Sequence, residues 1–90
     1  MPINQVFYRQ FLYNLQEDIK MITTTQIQQR IAEAIRQSGL TQTELAKKLN
    51  IKQPTLAQYL SGRALPALDT FANLCAVLDV DPSYILCLID

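Results

Sequence analysis

The stretch that decides the fold is Gln42-Thr43-Glu44-Leu45-Ala46-Lys47-Lys48-Leu49-Asn50-Ile51-Lys52-Gln53-Pro54-Thr55-Leu56-Ala57-Gln58-Tyr59-Leu60-Ser61. It reads as two short helices across a three-residue turn. Thr41 and Glu44 form a capping-box pair, in which the threonine oxygen takes a first-turn amide and the glutamate reaches back to the threonine's own amide. The helix they open buries Leu45, Ala46 and Leu49 and ends at Asn50, a residue tolerated at positive φ. After Asn50-Ile51-Lys52, Pro54 fixes φ in the first turn of the next helix, where a missing amide hydrogen costs little. That helix continues through Leu56, Tyr59 and Leu60 to Gly62. Two short helices cross at a large angle only if a small residue sits where their backbones approach, and Ala46 occupies that place.

With Leu45, Leu49, Ile51, Leu56 and Leu60 on the inner side, Lys52, Gln53, Thr55 and Gln58 remain outward. These types suit DNA. Glutamine pairs bidentately with the major-groove edge of adenine, threonine bonds a phosphate or touches a thymine methyl, and lysine neutralises phosphate. Gln53 and Gln58 diverge by about 140° at 3.6 residues per turn, so they address different base pairs, or one base pair and one phosphate. Gln53, Gln58 and Lys52 are the expected base readers. Gln42, at a helix N-terminus, offers its amide to a phosphate, and Thr43, Thr55, Lys47 and Arg63 complete the expected phosphate contacts.

On the N-terminal side, Thr25-Gln26-Ile27-Gln28 also fits a capping box and predicts a helix to about Ser38 that buries Ile27, Ile31 and Ile35. Gly39 follows as a left-handed stop that a Cβ would strain. Further upstream, Phe7 or Tyr8, Phe11, Leu12, Leu15, Ile19 and Ile22 are spaced by threes and fours, predicting an amphipathic helical extension over residues 1–24. On the C-terminal side, Pro66 is expected to open a fourth helix along Leu68, Phe71, Leu74, Cys75 and Leu78. Asp81-Pro82 is expected to cap a fifth carrying Tyr84, Ile85, Leu88 and Ile89.

Ninety residues, 49% hydrophobic and 18% charged, with two glycines and four prolines, predict one all-α globular domain of five helices over residues 25–90, preceded by the extension. The formal net charge is zero, but it is unevenly spread. From Ile27 to Leu65, six basic residues (Arg30, Arg36, Lys47, Lys48, Lys52, Arg63) face two acidic ones (Glu33, Glu44). From Pro66 to Asp90 there are four aspartates and no base. The basic middle is the part that would meet an acidic polymer.

Enzymatic chemistry has no purchase: there is no histidine, no metal-ligand cluster and no Gly-rich phosphate loop. Cys75 and Cys87, without a CxxC pair, read as small buried hydrophobes rather than zinc ligands, and no metal or cofactor is expected. No apolar run reaches the roughly 20 residues a membrane helix needs, and Arg9 interrupts the N-terminal stretch where a signal peptide needs continuity, so a cytoplasmic protein is expected.

The segment from Ile27 to about Leu86 resembles the Cro and phage-repressor helix-turn-helix domains, also called the xenobiotic-response-element family. The resemblance is carried by Gly39-Leu40-Thr41-Gln42, Glu44-Leu45-Ala46, Leu49-Asn50-Ile51, Leu56, Gly62, Pro66, Leu68, Thr70 and Leu78-Asp79-Val80. It implies a five-helix domain whose third helix enters the major groove, often as a homodimer on a palindromic operator. Four positions depart from the family pattern. Asn50 stands where glycine is frequent, and Pro54 where some relatives carry a base-contacting side chain. Ile35 and Leu60 are both apolar where many members pair Arg with Glu, a joint exchange that can be neutral or stabilising.

The expected function is a transcriptional regulator, a repressor acting by operator occupancy as a homodimer on double-stranded DNA. The alternative is an antitoxin that binds a toxin protein and represses its own operon. Tyr84, Ile85, Leu88 and Ile89, with Phe7 and Phe11 of the extension, are the expected dimer or partner surface.

Overall fold

The computed structural model describes residues 21–90, within which five helices and no strand are found: α1 (Thr24–Gln37), α2 (Gln42–Leu49), α3 (Gln53–Ser61), α4 (Leu68–Leu78) and α5 (Pro82–Ile85). The all-α expectation holds. Residues 1–20 of the expected N-terminal extension, with Phe7 and Phe11, lie outside the described residues; Met21 and Ile22, which follow, are non-helical and exposed.

α1 starts earlier than expected. Thr23, not Thr25, is its N-cap: the Thr23 Oγ1 accepts from the Gln26 amide at 3.3 Å, and the Gln26 Oε1 accepts from the Thr23 amide at 3.0 Å. Both threonines have a glutamine three positions on. The earlier start adds helix, including the Ile27 amide to Thr23 carbonyl bond at 3.3 Å, and it frees Gln28 from any capping duty. α1 ends at Gln37 with Ser38 as its C-cap, and Gly39 then turns at φ 74°.

α2 begins on the expected capping box, with the Thr41 Oγ1 accepting from the Glu44 amide at 3.1 Å and the Glu44 Oε1 accepting from the Thr41 amide at 3.3 Å. It stops at Asn50, which adopts the left-handed conformation at φ 54°, ψ 45°. α3 opens at Gln53, with Pro54 in its first turn, and closes on Gly62 at φ 79°.

Two C-terminal expectations need correction. Pro66 does not open α4. The helix begins at Leu68 behind Ala67, whose carbonyl accepts the first helical bond from the Phe71 amide at 2.8 Å, and Leu68 is 87% exposed rather than part of the buried stripe. α5 is a single turn. Asp81 caps it by accepting from the Ser83 amide at 2.8 Å, but Cys87 at φ 64° reverses the chain and the Leu88 amide bonds back to the Ser83 carbonyl at 2.9 Å. Leu88 and Ile89 therefore lie beyond the helix that was expected to carry them.

Ile31, Ile35, Leu45, Ala46, Leu49, Leu56, Tyr59, Leu74, Cys75 and Ile85 form one buried cluster, with Leu40, Ile51, Leu60 and Phe71 packed around it. Leu45 and Leu56 are wholly buried, one from each helix of the decisive stretch. Leu60 joins the cluster that contains Ile35, so both positions of the apolar exchange contribute to the core. Ile85, at 2% exposure, belongs to this core; of the expected C-terminal surface residues, Tyr84, Leu88 and Ile89 are the exposed ones.

Candidate nucleic-acid interface

The turn between α2 and α3 is built from backbone bonds that the left-handed Asn50 makes possible. The Asn50 amide returns to the Lys47 carbonyl at 3.1 Å and the Ile51 amide to the Ala46 carbonyl at 3.0 Å, so two of the last carbonyls of α2 are satisfied. Ala46, buried at 5% exposure, gives α3 room to approach. The result is a rigid corner with its inner side sealed by Leu45, Leu49 and Leu56.

On its outer side lies a shallow crevice of about 290 Å³ lined by Thr43, Ala46, Lys47, Asn50, Ile51 and Gln53. It brings together three residues expected to contact DNA: Thr43 and Lys47 from α2 and Gln53 from α3. Gln42, Lys52, Gln58 and Arg63 are also exposed but lie outside this crevice, Arg63 in the loop that follows α3. Thr55 is half-buried, which leaves its hydroxyl less of the surface than the outward placement implied. Lys52, the N-cap of α3, makes no side-chain bond to that helix. Pro54 is exposed and offers no donor.

The first turn of α2 is equally open. Thr41 takes the Glu44 amide, and the amides of Gln42 and Thr43 are left as groups the helix cannot satisfy by itself. An anion placed there meets two N–H donors, the positive end of the helix and the neighbouring Lys47.

One base of the basic middle segment is committed elsewhere. Arg30 donates through one guanidinium nitrogen to the carbonyl of Tyr84 and, at 2.9 Å, to that of Ile89, and its guanidinium lies 4.3 Å from the centroid of the Tyr84 ring. Arg30 thus holds the C-terminal tail against α1. Its charge is directed at carbonyls and an aromatic face. The positive charge of the corner falls to Lys47, Lys48, Lys52 and Arg63, all exposed.

A further residue escaped sequence reasoning. Gln28 donates from its Nε2 to the carbonyl of Gly62 at 2.7 Å, tying α1 to the end of α3. In the sequence it reads as the partner of Thr25 in a capping box; with Thr23 as the cap and Gln26 as its partner, Gln28, two residues further on, is left free for another bond.

Of the two cysteines, Cys75 is buried and Cys87 half-buried. Burial pushes the Cys75 thiol above its ordinary ionisation range, with a smaller push in the same direction from the Asp81 carboxylate. No cluster of three or more potential metal-ligating acids, cysteines or histidines occurs among the described residues, and none of the helices described is long and apolar enough to cross a membrane.

Two short helices at a corner, a small residue at their crossing and an exposed polar second helix define a helix-turn-helix protein of the Cro and phage-repressor kind. The Helix-turn-helix family model matches residues 31–85, more than half of the chain, and the chain belongs to this family. It is a DNA-binding regulator in that sense. Among curated proteins it is similar to antitoxin HipB of Escherichia coli O6:H1, with 32% identity over 68 residues, 76% of this chain and 72% of that relative. No solved structure matches.

Proposed function

We propose that this chain is a sequence-specific transcriptional repressor that binds operator DNA as a homodimer, lays α3 in the major groove and excludes polymerase from the promoter. The observation that supports this most is the crevice where Thr43, Lys47 and Gln53 meet, with exposed Lys52 at the start of α3, exposed Gln58 further along it and exposed Arg63 in the loop that follows. Gln53 and Gln58 read bases; Gln42, Thr43, Lys47, Thr55 and Arg63 hold phosphates, which set register without carrying sequence information. Lys52, at the start of α3, reaches a base edge or the adjoining phosphate.

The test is selection of bound sequences from a random duplex pool. A good bidentate side-chain contact discriminates against the wrong base by about 1 to 3 kcal/mol, so Gln53→Ala should relax preference at one base pair per half-site. Unchanged preference removes Gln53 from the readers. In sedimentation, a dimer at micromolar concentration fits a partner surface that includes Tyr84, Leu88 and Ile89. Monomer alone, with and without DNA, argues against it.

A second reading, that the chain is an antitoxin, is favoured by the likeness to antitoxin HipB. In this reading the same corner represses the chain's own operon, while the exposed apolar residues of the C-terminal tail, with Phe7 and Phe11, take a toxin protein. A toxin-like reading frame beside the gene, whose product co-purifies with the chain, supports it; a neighbourhood with no such frame leaves the repressor.

A further inference from the structure

The Gln28 Nε2 to Gly62 carbonyl bond, 2.7 Å long and half-buried, spans 34 positions of sequence. It reaches the one point where α3 hands the chain over to the loop carrying Arg63. Gly62 sits at φ 79°, and a Cβ added there would lie 3.5 Å from the Gln28 Oε1, so the glutamine amide covers the glycine. The Gly62 carbonyl belongs to a helix end whose acceptors the helix leaves without partners. From the other side, the Arg63 and Ala64 amides both turn back to the Gln58 carbonyl, at 3.0 and 3.3 Å. The exit from α3 is therefore pinned twice, by α3 itself and by α1.

We propose that Gln28 is a positioning residue for DNA binding. By holding the Gly62 carbonyl it sets the direction in which Arg63 leaves α3, and so which phosphate the Arg63 guanidinium reaches. The inference rests on the DNA-binding reading above. Its chemistry is specific. Gln28 directs an amide N–H at the protein, and through that bond α1 governs a phosphate contact made by another segment. The corner formed by α2 and α3 is fixed by apolar packing; the loop after it has Ala64 as its link to the core cluster, and Gln28 supplies the polar tie.

The test uses Gln28→Met, which keeps the length and helix propensity of the side chain and deletes the donor. The probe is a labelled duplex that the wild-type chain enriches from a random-sequence pool, and affinity is read by fluorescence anisotropy across a salt series. Gln28→Met should weaken binding about fivefold, the equivalent of one ordinary hydrogen bond. The slope of log affinity against log salt should shrink toward that of Arg63→Ala, which loses about 1.8 for one phosphate in each copy of the dimer. In an Arg63→Ala background Gln28→Met should then do nothing further, because the contact it positions is gone. Thermal melts establish that each variant is folded; if the methionine variant melts below the assay temperature, Gln28→Ala is read in the same way. Weaker binding at an unchanged slope, or losses by Gln28→Met and Arg63→Ala that multiply, would overturn the positioning role. A wild-type chain that enriches no duplex overturns the DNA-binding reading and the positioning role together.

Discussion

Replacing Asn50 tests how the corner is made. The residue is exposed and held at φ 54°, ψ 45°, and what α2 requires of it is that backbone conformation. Left-handed geometry costs an ordinary L-residue about 1 to 2 kcal/mol, and asparagine somewhat less, because its short polar side chain bonds locally. Asn50→Ala should therefore lower stability by about 1 kcal/mol. Glycine adopts the conformation freely but gains entropy in the unfolded chain worth about 0.5 to 1 kcal/mol, so Asn50→Gly should fall within about 0.5 kcal/mol of the parent. In thermal unfolding of a domain this size, 1 kcal/mol is about 4 to 8 °C in Tm. The glycine variant should melt near the parent and the alanine variant several degrees below both. Equal melting of the alanine and glycine variants would refute the claim that backbone conformation, and not side-chain contact, selects the residue at the corner.

Other perturbations separate the core, the tail and the DNA face. Leu45→Ala empties a wholly buried site and should cost about 2 to 5 kcal/mol in denaturant unfolding, with DNA affinity lost only as the folded fraction falls. Arg30→Ala removes the bonds to the Tyr84 and Ile89 carbonyls and should lower stability by about 1 to 2 kcal/mol while leaving the salt dependence of DNA binding unchanged, whereas Arg63→Ala should do the reverse. Iodoacetamide in native buffer should label the half-buried Cys87 before the buried Cys75. The Cys75 thiol ionises later in the folded chain than in the unfolded one, so its contribution to stability is complete below the ordinary thiol value of about 8.5 and declines as pH rises through its raised folded value. A Cys75→Ala variant should show a shallower alkaline loss in urea midpoints than the parent.

Much of this fold was legible because its punctuation is local. Asn50, Gly62, the Thr41–Glu44 box and the Asp81 cap each act within a few residues, and each took the role its chemistry implied. Where three threonines stood in a row, local chemistry allowed two starts for α1, and the longer helix won. The start of α4 was misplaced because Pro66 is compatible with a first turn without demanding one. α5 was overextended because Leu88 and Ile89 continue a helical spacing that Cys87 breaks by its backbone conformation, which no side-chain pattern signals. The candidate site followed the same rule. Gln53 and Lys47 are outward by helical period alone, but the commitment of Arg30 to the C-terminal tail and of Gln28 to Gly62 joins residues 59 and 34 positions apart, a distance at which periodicity carries nothing.

The central claim, that the α2–α3 corner holds DNA through its phosphates, is tested most directly by the affinity of the wild-type chain for its selected duplex between 50 and 200 mM salt. With Lys47, Lys52 and Arg63 each neutralising one phosphate in both copies of a dimer, affinity should fall about a thousandfold over that range, a slope near −5. A Lys47→Ala/Arg63→Ala variant should flatten the slope to about −2. Salt-independent binding, or a slope that this double variant leaves unchanged, would contradict the account.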